Sequence, residues 1–132
     1  MEKPAVSDPL APLVLVVDDH ADSREMYSML LAMAGYRAAE AANGDEAIAR
    51  ALAVTPDCIL MDLSLPGVNG WEATATLKAD LRTKDIPVIA FSGHTRSAGV
   101  TPTDAPGFAA VVTKPCTPET VLAVINRVLG RA

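Results

Sequence analysis

The 132-residue sequence has few cysteines, few basic residues and no long apolar run. Its two cysteines, Cys58 and Cys116, form no CxxC pair and show no zinc-like spacing with histidine. No apolar stretch approaches the ~20 residues that span a membrane, and the N-terminus lacks a signal-peptide core. Eleven Lys and Arg against sixteen Asp and Glu give a net charge of −5, which argues against a nucleic-acid surface. We expect a cytoplasmic protein with reduced cysteines.

The order of apolar runs and turns predicts one domain in which strands and helices alternate. Residues 1–12 contain three prolines among small and polar residues, so we expect a flexible leader before a domain over residues 13–130. Four runs have the apolar or β-branched character of buried strands: 13–17, 58–61, 88–91 and 109–112. Residues 36–40 form a fifth, weaker and more polar strand pattern, as expected at the edge of a sheet. Helical patterns separate these runs. The sequence therefore predicts a (βα)5 α/β fold, a doubly wound parallel sheet with helices on both faces.

The first predicted helix carries an unusual number of methionines. Asp22 and Glu25 have the spacing of a capping pair at its start. Met26, Met29 and Met33 then recur at helical spacing, and unbranched thioether side chains fill irregular gaps in protein interiors. We expect these three methionines to lie in the hydrophobic core.

Two later segments differ in their support for a helix. Residues 93–107 should contain the fourth helix of the pattern, yet this segment is rich in Gly, Pro, Ser and Thr. Because Pro102 would break a helix that ran through it, we predict a short or irregular helix there. The last helix has a clear start, with Thr117 as the predicted N-cap and Pro118 at the first helical position.

Five polar residues stand at or just beyond the carboxyl ends of predicted strands: Asp18, Asp19, Asp62, Ser92 and Lys114. Ligands of open α/β sheets bind at that edge, where parallel strands bring distant residues together. Three neighbouring carboxylates repel one another unless a cation intervenes. Oxygen donors without Cys or His favour Mg²⁺ over zinc. The set therefore predicts a magnesium site in which one aspartate can act as a nucleophile toward phosphorus.

The sequence resembles the receiver domain of two-component response regulators over about residues 13–130. The resemblance is carried by five segments in order: Val-Val-Asp-Asp at 16–19, Leu-Met-Asp-Leu-Ser-Leu-Pro-Gly at 60–67, Asn-Gly at 69–70, Ala-Phe-Ser at 90–92 and Thr-Lys-Pro at 113–115. Each motif is short, but their order and spacing together are specific. The resemblance implies the flavodoxin-like strand order 2-1-3-4-5.

The resemblance also implies a metal-binding role for the acidic residues. Asp19 and Asp62, with the backbone carbonyl of Ser64, would ligate Mg²⁺. Asp18 would act mainly through a metal-bound water.

A phosphoryl-accepting role follows from the same resemblance. Asp62 would accept a phosphoryl group from a phosphohistidine on a sensor histidine kinase or histidine phosphotransfer protein. Ser92 would contact that group and Lys114 would pair with it. The acyl phosphate would then change the binding of an unknown downstream protein. The chain would be a signalling switch that catalyses only its own phosphoryl transfer and slow dephosphorylation.

Two features depart from the family pattern. Val111 stands three residues before Lys114, where the family usually has Tyr or Phe. The irregular segment at 93–107 falls on the family's usual output surface. We therefore expect an altered relay of activation and a monomer or weak dimer. No output domain follows the last predicted helix in the sequence, so a complete chain of this kind would be a stand-alone receiver.

Other function classes fit the sequence less well. A flavodoxin-like FMN-binding electron carrier has the same topology, but its phosphate loop needs hydroxyl and glycine residues where this sequence has Asp-Asp-His-Ala-Asp at 18–22. A phosphatase of the haloacid dehalogenase type needs two aspartates separated by one residue, whereas Asp18 and Asp19 are adjacent. A degenerate receiver used only for docking would not need the full acidic, Ser and Lys set.

Overall fold

The computed structural model describes residues 11–63, 69–92, 108–113 and 117–130. Nine helices and strands lie in these ranges: β1 (Leu13–Val17), α1 (Ala21–Met33), β2 (Arg37–Ala41), α2 (Gly44–Val54), β3 (Cys58–Asp62), α3 (Gly70–Ala79), β4 (Val88–Ser92), β5 (Phe108–Thr113) and α4 (Pro118–Val128). All five predicted strands are present, with ends that differ from the prediction by one residue at most.

The strands form one parallel sheet in the order β2-β1-β3-β4-β5. The predicted α/β class and the strand order 2-1-3-4-5 are thus confirmed, and the polar second strand lies at an edge. The register pairs Val17 of β1 with Met61 of β3, and Asp62 of β3 with Phe91 of β4. The carboxyl ends of β1, β3 and β4 therefore meet at one edge of the sheet. The short or irregular helix predicted at 93–107 lies outside the described residues.

Alternating strand residues build two hydrophobic layers, one on each side of the sheet. One layer joins Val14 and Leu60 to Leu31 of α1 and Ile125 of α4. The other joins Leu15, Ile59 and Met61 to the small residues of α2 and to Leu77 of α3. The described helices thus cover both faces of the sheet, as the doubly wound pattern requires.

Ala11 and Pro12 are tied to the sheet by Arg37. The Ala11 carbonyl accepts from Arg37 Nε at 2.8 Å, and the Pro12 carbonyl accepts from the Arg37 backbone N–H at 2.8 Å. Residues 1–10, where most of the predicted leader falls, lie outside the described residues. Among the helices that the structure describes, none has the length and apolar character to cross a membrane.

The start of α1 differs from the prediction. His20 is the N-cap and makes no side-chain cap hydrogen bond, so the predicted capping pair of Asp22 and Glu25 is wrong. Instead, the His20 backbone N–H donates to Asp18 Oδ1 at 2.8 Å. The helix therefore begins two residues earlier than it would if Asp22 were the N-cap.

The three methionines of α1 are also not in the core. Met26, Met29 and Met33 are 44%, 59% and 83% exposed, whereas Tyr27 and Leu31 carry the buried side of the helix. The prediction failed because α1 has apolar residues on two sides, and only one side can face the sheet. We call the surface formed by Met26, Met29 and Met33 the methionine face.

Candidate functional site

Asp18 lies just beyond β1, and the surrounding backbone holds it firmly. Its side chain is almost fully buried, and its backbone N–H continues the sheet by donating to Ala41 O at 3.1 Å. Its Oδ1 accepts from the His20 N–H, and its carbonyl accepts from Arg24 Nη1 at 2.9 Å. The carboxylate is therefore fixed before any ligand arrives.

Asp62 occupies the equivalent place on the neighbouring strand. It is the last residue of β3 and is 2% exposed, like Asp18. Val17 of β1 pairs in register with Met61 of β3, so the next residues, Asp18 and Asp62, lie side by side where the two strands end. Adjacent strands of a sheet lie about 4.8 Å apart. The fold therefore places two buried aspartates that are distant in the sequence at the ends of adjacent strands. Two such charges repel, and a bound cation is the usual compensation.

Asp19 and His20 complete the acidic end of the site on its solvent side. His20 Nδ1 lies 3.2 Å from Asp19 Oδ1 and 3.4 Å from Asp18 Oδ1. Asp18, Asp19 and His20 each offer one ligand atom, and all three atoms lie within 4.8 Å of one another. Carboxylate oxygens are the ligands that Mg²⁺ prefers, so Asp18 and Asp19 suit the predicted cation.

Gly70 brings the start of α3 against the end of β3. A Cβ placed on this glycine would lie 2.4 Å from the carbonyl oxygen of Asp62 and 2.8 Å from Cα of Leu63. Helix α3 is anchored there by a capping box in which Asn69 Oδ1 accepts from the Glu72 N–H at 2.9 Å. In the sequence, Gly70 stands out only as part of the Asn-Gly motif. Its contact with the Asp62 backbone depends on tertiary packing.

The remaining predicted site residues are described only in part. Ser92 ends β4, and its backbone pairs in register with Thr113, the last residue of β5. Its side chain lies outside what the structure describes, as do Ser64 and Lys114. Of the predicted set, the structure therefore brings Asp18, Asp19 and Asp62 to one edge. It places the Ser92 backbone at the end of β4.

Cys58 takes no part in this site. It lies in the interior at the start of β3, and burial raises the pKa of its thiol to about 12. A thiol that stays protonated at neutral pH is a poor nucleophile and a poor metal ligand. Cys58 is therefore a small core residue.

Comparison with known proteins identifies the family. Residues 14–126 match the family described as "Response regulator receiver domain". The chain is 34% identical over 117 residues to Protein PilH of Pseudomonas aeruginosa, covering 89% of this chain and 97% of that protein. It is 38% identical over 118 residues to the phosphate regulon transcriptional regulatory protein PhoB of the same organism, but spans only 52% of that relative.

Solved structures with the same fold agree with this match. The chemotaxis response regulator CheY4 of Vibrio cholerae is 33% identical with a TM-score of 0.82, covering 90% of this chain and 99% of that chain. The receiver domain of sensor histidine kinase PA1611 from Pseudomonas aeruginosa PAO1, solved with a magnesium ion in its active site cleft, is 26% identical with a TM-score of 0.82. That match covers 91% of this chain and 98% of the other.

The family match decides against the FMN-binding alternative, because these relatives are receivers and not flavodoxins. The family consists of signalling switches, and the acidic edge of the sheet lies where the sequence placed it. The chain belongs to the response regulator receiver domain family and is a receiver domain of two-component signalling.

Proposed function

We propose that Asp62 is the phosphoryl acceptor of this receiver, and that Asp18, Asp19, Asp62 and the backbone carbonyl of Ser64 hold Mg²⁺ during the transfer. The observation that carries the proposal is the pair of buried carboxylates, Asp18 and Asp62, at the ends of two adjacent parallel strands. Carboxylates placed side by side away from water repel each other, and a divalent cation bound between them offsets that repulsion.

The transfer needs little covalent chemistry from the protein. A carboxylate oxygen of Asp62 forms a bond to phosphorus while the bond from phosphorus to the histidine nitrogen of the donor breaks. The imidazole leaves with the electron pair. When bound, Mg²⁺ would neutralise charge on the phosphoryl oxygens. Positioning and charge compensation thus account for the reaction, in which the chain acts on itself.

Ser92 and Lys114 are assigned to the phosphoryl group. The register supports this assignment, because Ser92 pairs with Thr113 and Lys114 is the next residue along the chain. A hydroxyl group can donate a hydrogen bond to one phosphoryl oxygen, and an ammonium group can neutralise another. Both would then stabilise the phosphorylated form more than the free aspartate.

The donor would be a sensor histidine kinase or a histidine phosphotransfer protein, and a cytoplasmic location follows from that partnership. The methionine face supports a protein partner near the site. Together with Asp22, Glu25 and Leu30 it lines a groove of about 400 Å³. Helix α1 begins just after His20, at the edge that carries Asp62. A partner that presents a phosphohistidine to Asp62 would therefore contact this helix, and methionine side chains adapt readily to such a surface.

Intact mass measurement after incubation with acetyl phosphate and Mg²⁺ tests the proposal. We expect a gain of one phosphoryl group that is lost in Asp62→Asn and after chelation of Mg²⁺. Asp85→Asn is the matched control, because Asp85 is an exposed carboxylate whose ion pair is with Lys84. The control should keep the gain. A phosphoryl group that persists in Asp62→Asn, or that never forms on the wild type, overturns the assignment.

A further inference from the structure

His20 stands in a place that the magnesium site does not need. It is the N-cap of α1, yet its side chain makes no cap hydrogen bond. The imidazole instead lies beside the carboxylates of Asp18 and Asp19 and is 73% exposed. A contact made by so exposed a side chain contributes little to stability. Its position therefore calls for a different explanation.

The distances around His20 match those between ligands of one small metal ion. With bonds of about 2.1 Å, neighbouring ligand atoms lie about 3.0 Å apart in an octahedral site and about 3.4 Å apart in a tetrahedral one. Nδ1 of His20 lies 3.2 Å and 3.4 Å from the two carboxylate oxygens. The three side chains could ligate one ion after small shifts, because the imidazole is exposed.

A nitrogen ligand changes which ion a site prefers. Mg²⁺ favours oxygen donors and binds imidazole poorly, whereas first-row transition ions such as Mn²⁺, Co²⁺ and Zn²⁺ accept both. With oxygen donors alone, the affinities of such ions already exceed that of a hard cation, and an imidazole ligand widens the difference. The backbone turn from Asp18 to His20 positions the ring for this role.

We propose that His20 Nδ1 is an additional metal ligand, which increases the preference of the acidic site of this receiver for first-row transition dications over Mg²⁺. The inference rests on the proposed function, because it concerns the same cation site. It adds to that function a ligand and a metal class. The phosphoryl-transfer machinery itself needs only the three aspartates, Ser64, Ser92 and Lys114.

Calorimetric titration of the wild type and His20→Asn with Mg²⁺ and with Co²⁺ tests the proposal, and the visible absorption of Co²⁺ reports nitrogen ligation. We expect His20→Asn to weaken Co²⁺ binding about tenfold or more and to change Mg²⁺ binding less than about twofold. The Co²⁺ spectrum should shift as well. Asp22→Asn is the control, because it removes an exposed carboxylate nearby without removing a ligand, and should affect both ions equally.

The possible results separate this inference from the proposed function. If His20→Asn alters both ions equally, or neither, His20 acts through charge or not at all, and the inference is overturned. In that case acetyl phosphate and Mg²⁺ would still phosphorylate the variant, and the proposed function would be unaffected. If the wild type binds neither Mg²⁺ nor Co²⁺, both the inference and the proposed metal site fail.

Discussion

Helices α1 and α4 pack on the same face of the sheet but differ in where their apolar residues lie. In α4 the apolar side chains Val121 and Ile125 face the core, and the outer side carries polar residues such as Glu119 and Arg127. In α1 the inner side is equally apolar, through Tyr27 and Leu31, but the outer side carries methionines. A second apolar stripe that stays exposed adds little to the folding free energy, so the methionine face fits the proposed contact with a partner protein.

The largest expected effect is on the free energy of unfolding, which a substitution on the inner side of α4 should lower far more than one on the outer side of α1. Ile125 is fully buried, and Ile125→Ala should lower the free energy of unfolding by about 2–5 kcal/mol, because it removes packing and leaves a cavity. Met29→Ala should change it by less than about 0.5 kcal/mol. Urea denaturation measures both. Equal losses for the two variants would show that the methionine face is buried in solution. That result would contradict the difference between α1 and α4.

A second experiment tests what the methionine face contacts. Met29→Lys should slow phosphoryl transfer from a phosphohistidine protein about tenfold, which corresponds to about 1.4 kcal/mol, because a charge would enter an apolar contact. Transfer from acetyl phosphate should not change, since that small donor needs no docking surface. Leu81→Lys is the control, because Leu81 is 82% exposed and follows α3 on the other side of the sheet. Equal transfer rates for the wild type and Met29→Lys would exclude this face as the donor's contact.

The same contrast shows how far the sequence alone reaches. Four of the five strands could be predicted because buried parallel strands need continuous apolar runs, and α4 because its apolar residues follow a single stripe from Val121 to Leu129. The burial of α1 could not be predicted, because Tyr27 and the methionines fit a helical period equally well. Tertiary packing decides which side of α1 faces inward, as in the edge-on contact of the Tyr27 and Phe91 rings, whose centroids lie 5.4 Å apart.

The functional site likewise has features that the sequence predicts and features that it does not. Asp18 and Asp62 could be placed at one edge from the sequence, because the carboxyl ends of parallel strands meet and each residue follows a buried run. The close approach of Gly70 to the Asp62 backbone could not be predicted, since it depends on the angle at which α3 meets β3. The position of His20 also depends on a local turn, which the Asp18 carboxylate closes by accepting its N–H.

The smallest expected effect contrasts the two helix starts. Thr117 Oγ1 accepts from the Thr120 N–H at 3.2 Å, so Thr117→Ala should lower the free energy of unfolding by about 1 kcal/mol. His20→Ala should leave it nearly unchanged in a metal-free buffer with chelator, because the His20 side chain caps nothing and its backbone N–H is retained. Thermal or urea unfolding measures both. A loss for His20→Ala as large as that for Thr117→Ala would mean that the imidazole supports the fold. Its place beside the two carboxylates would then need no metal to explain it.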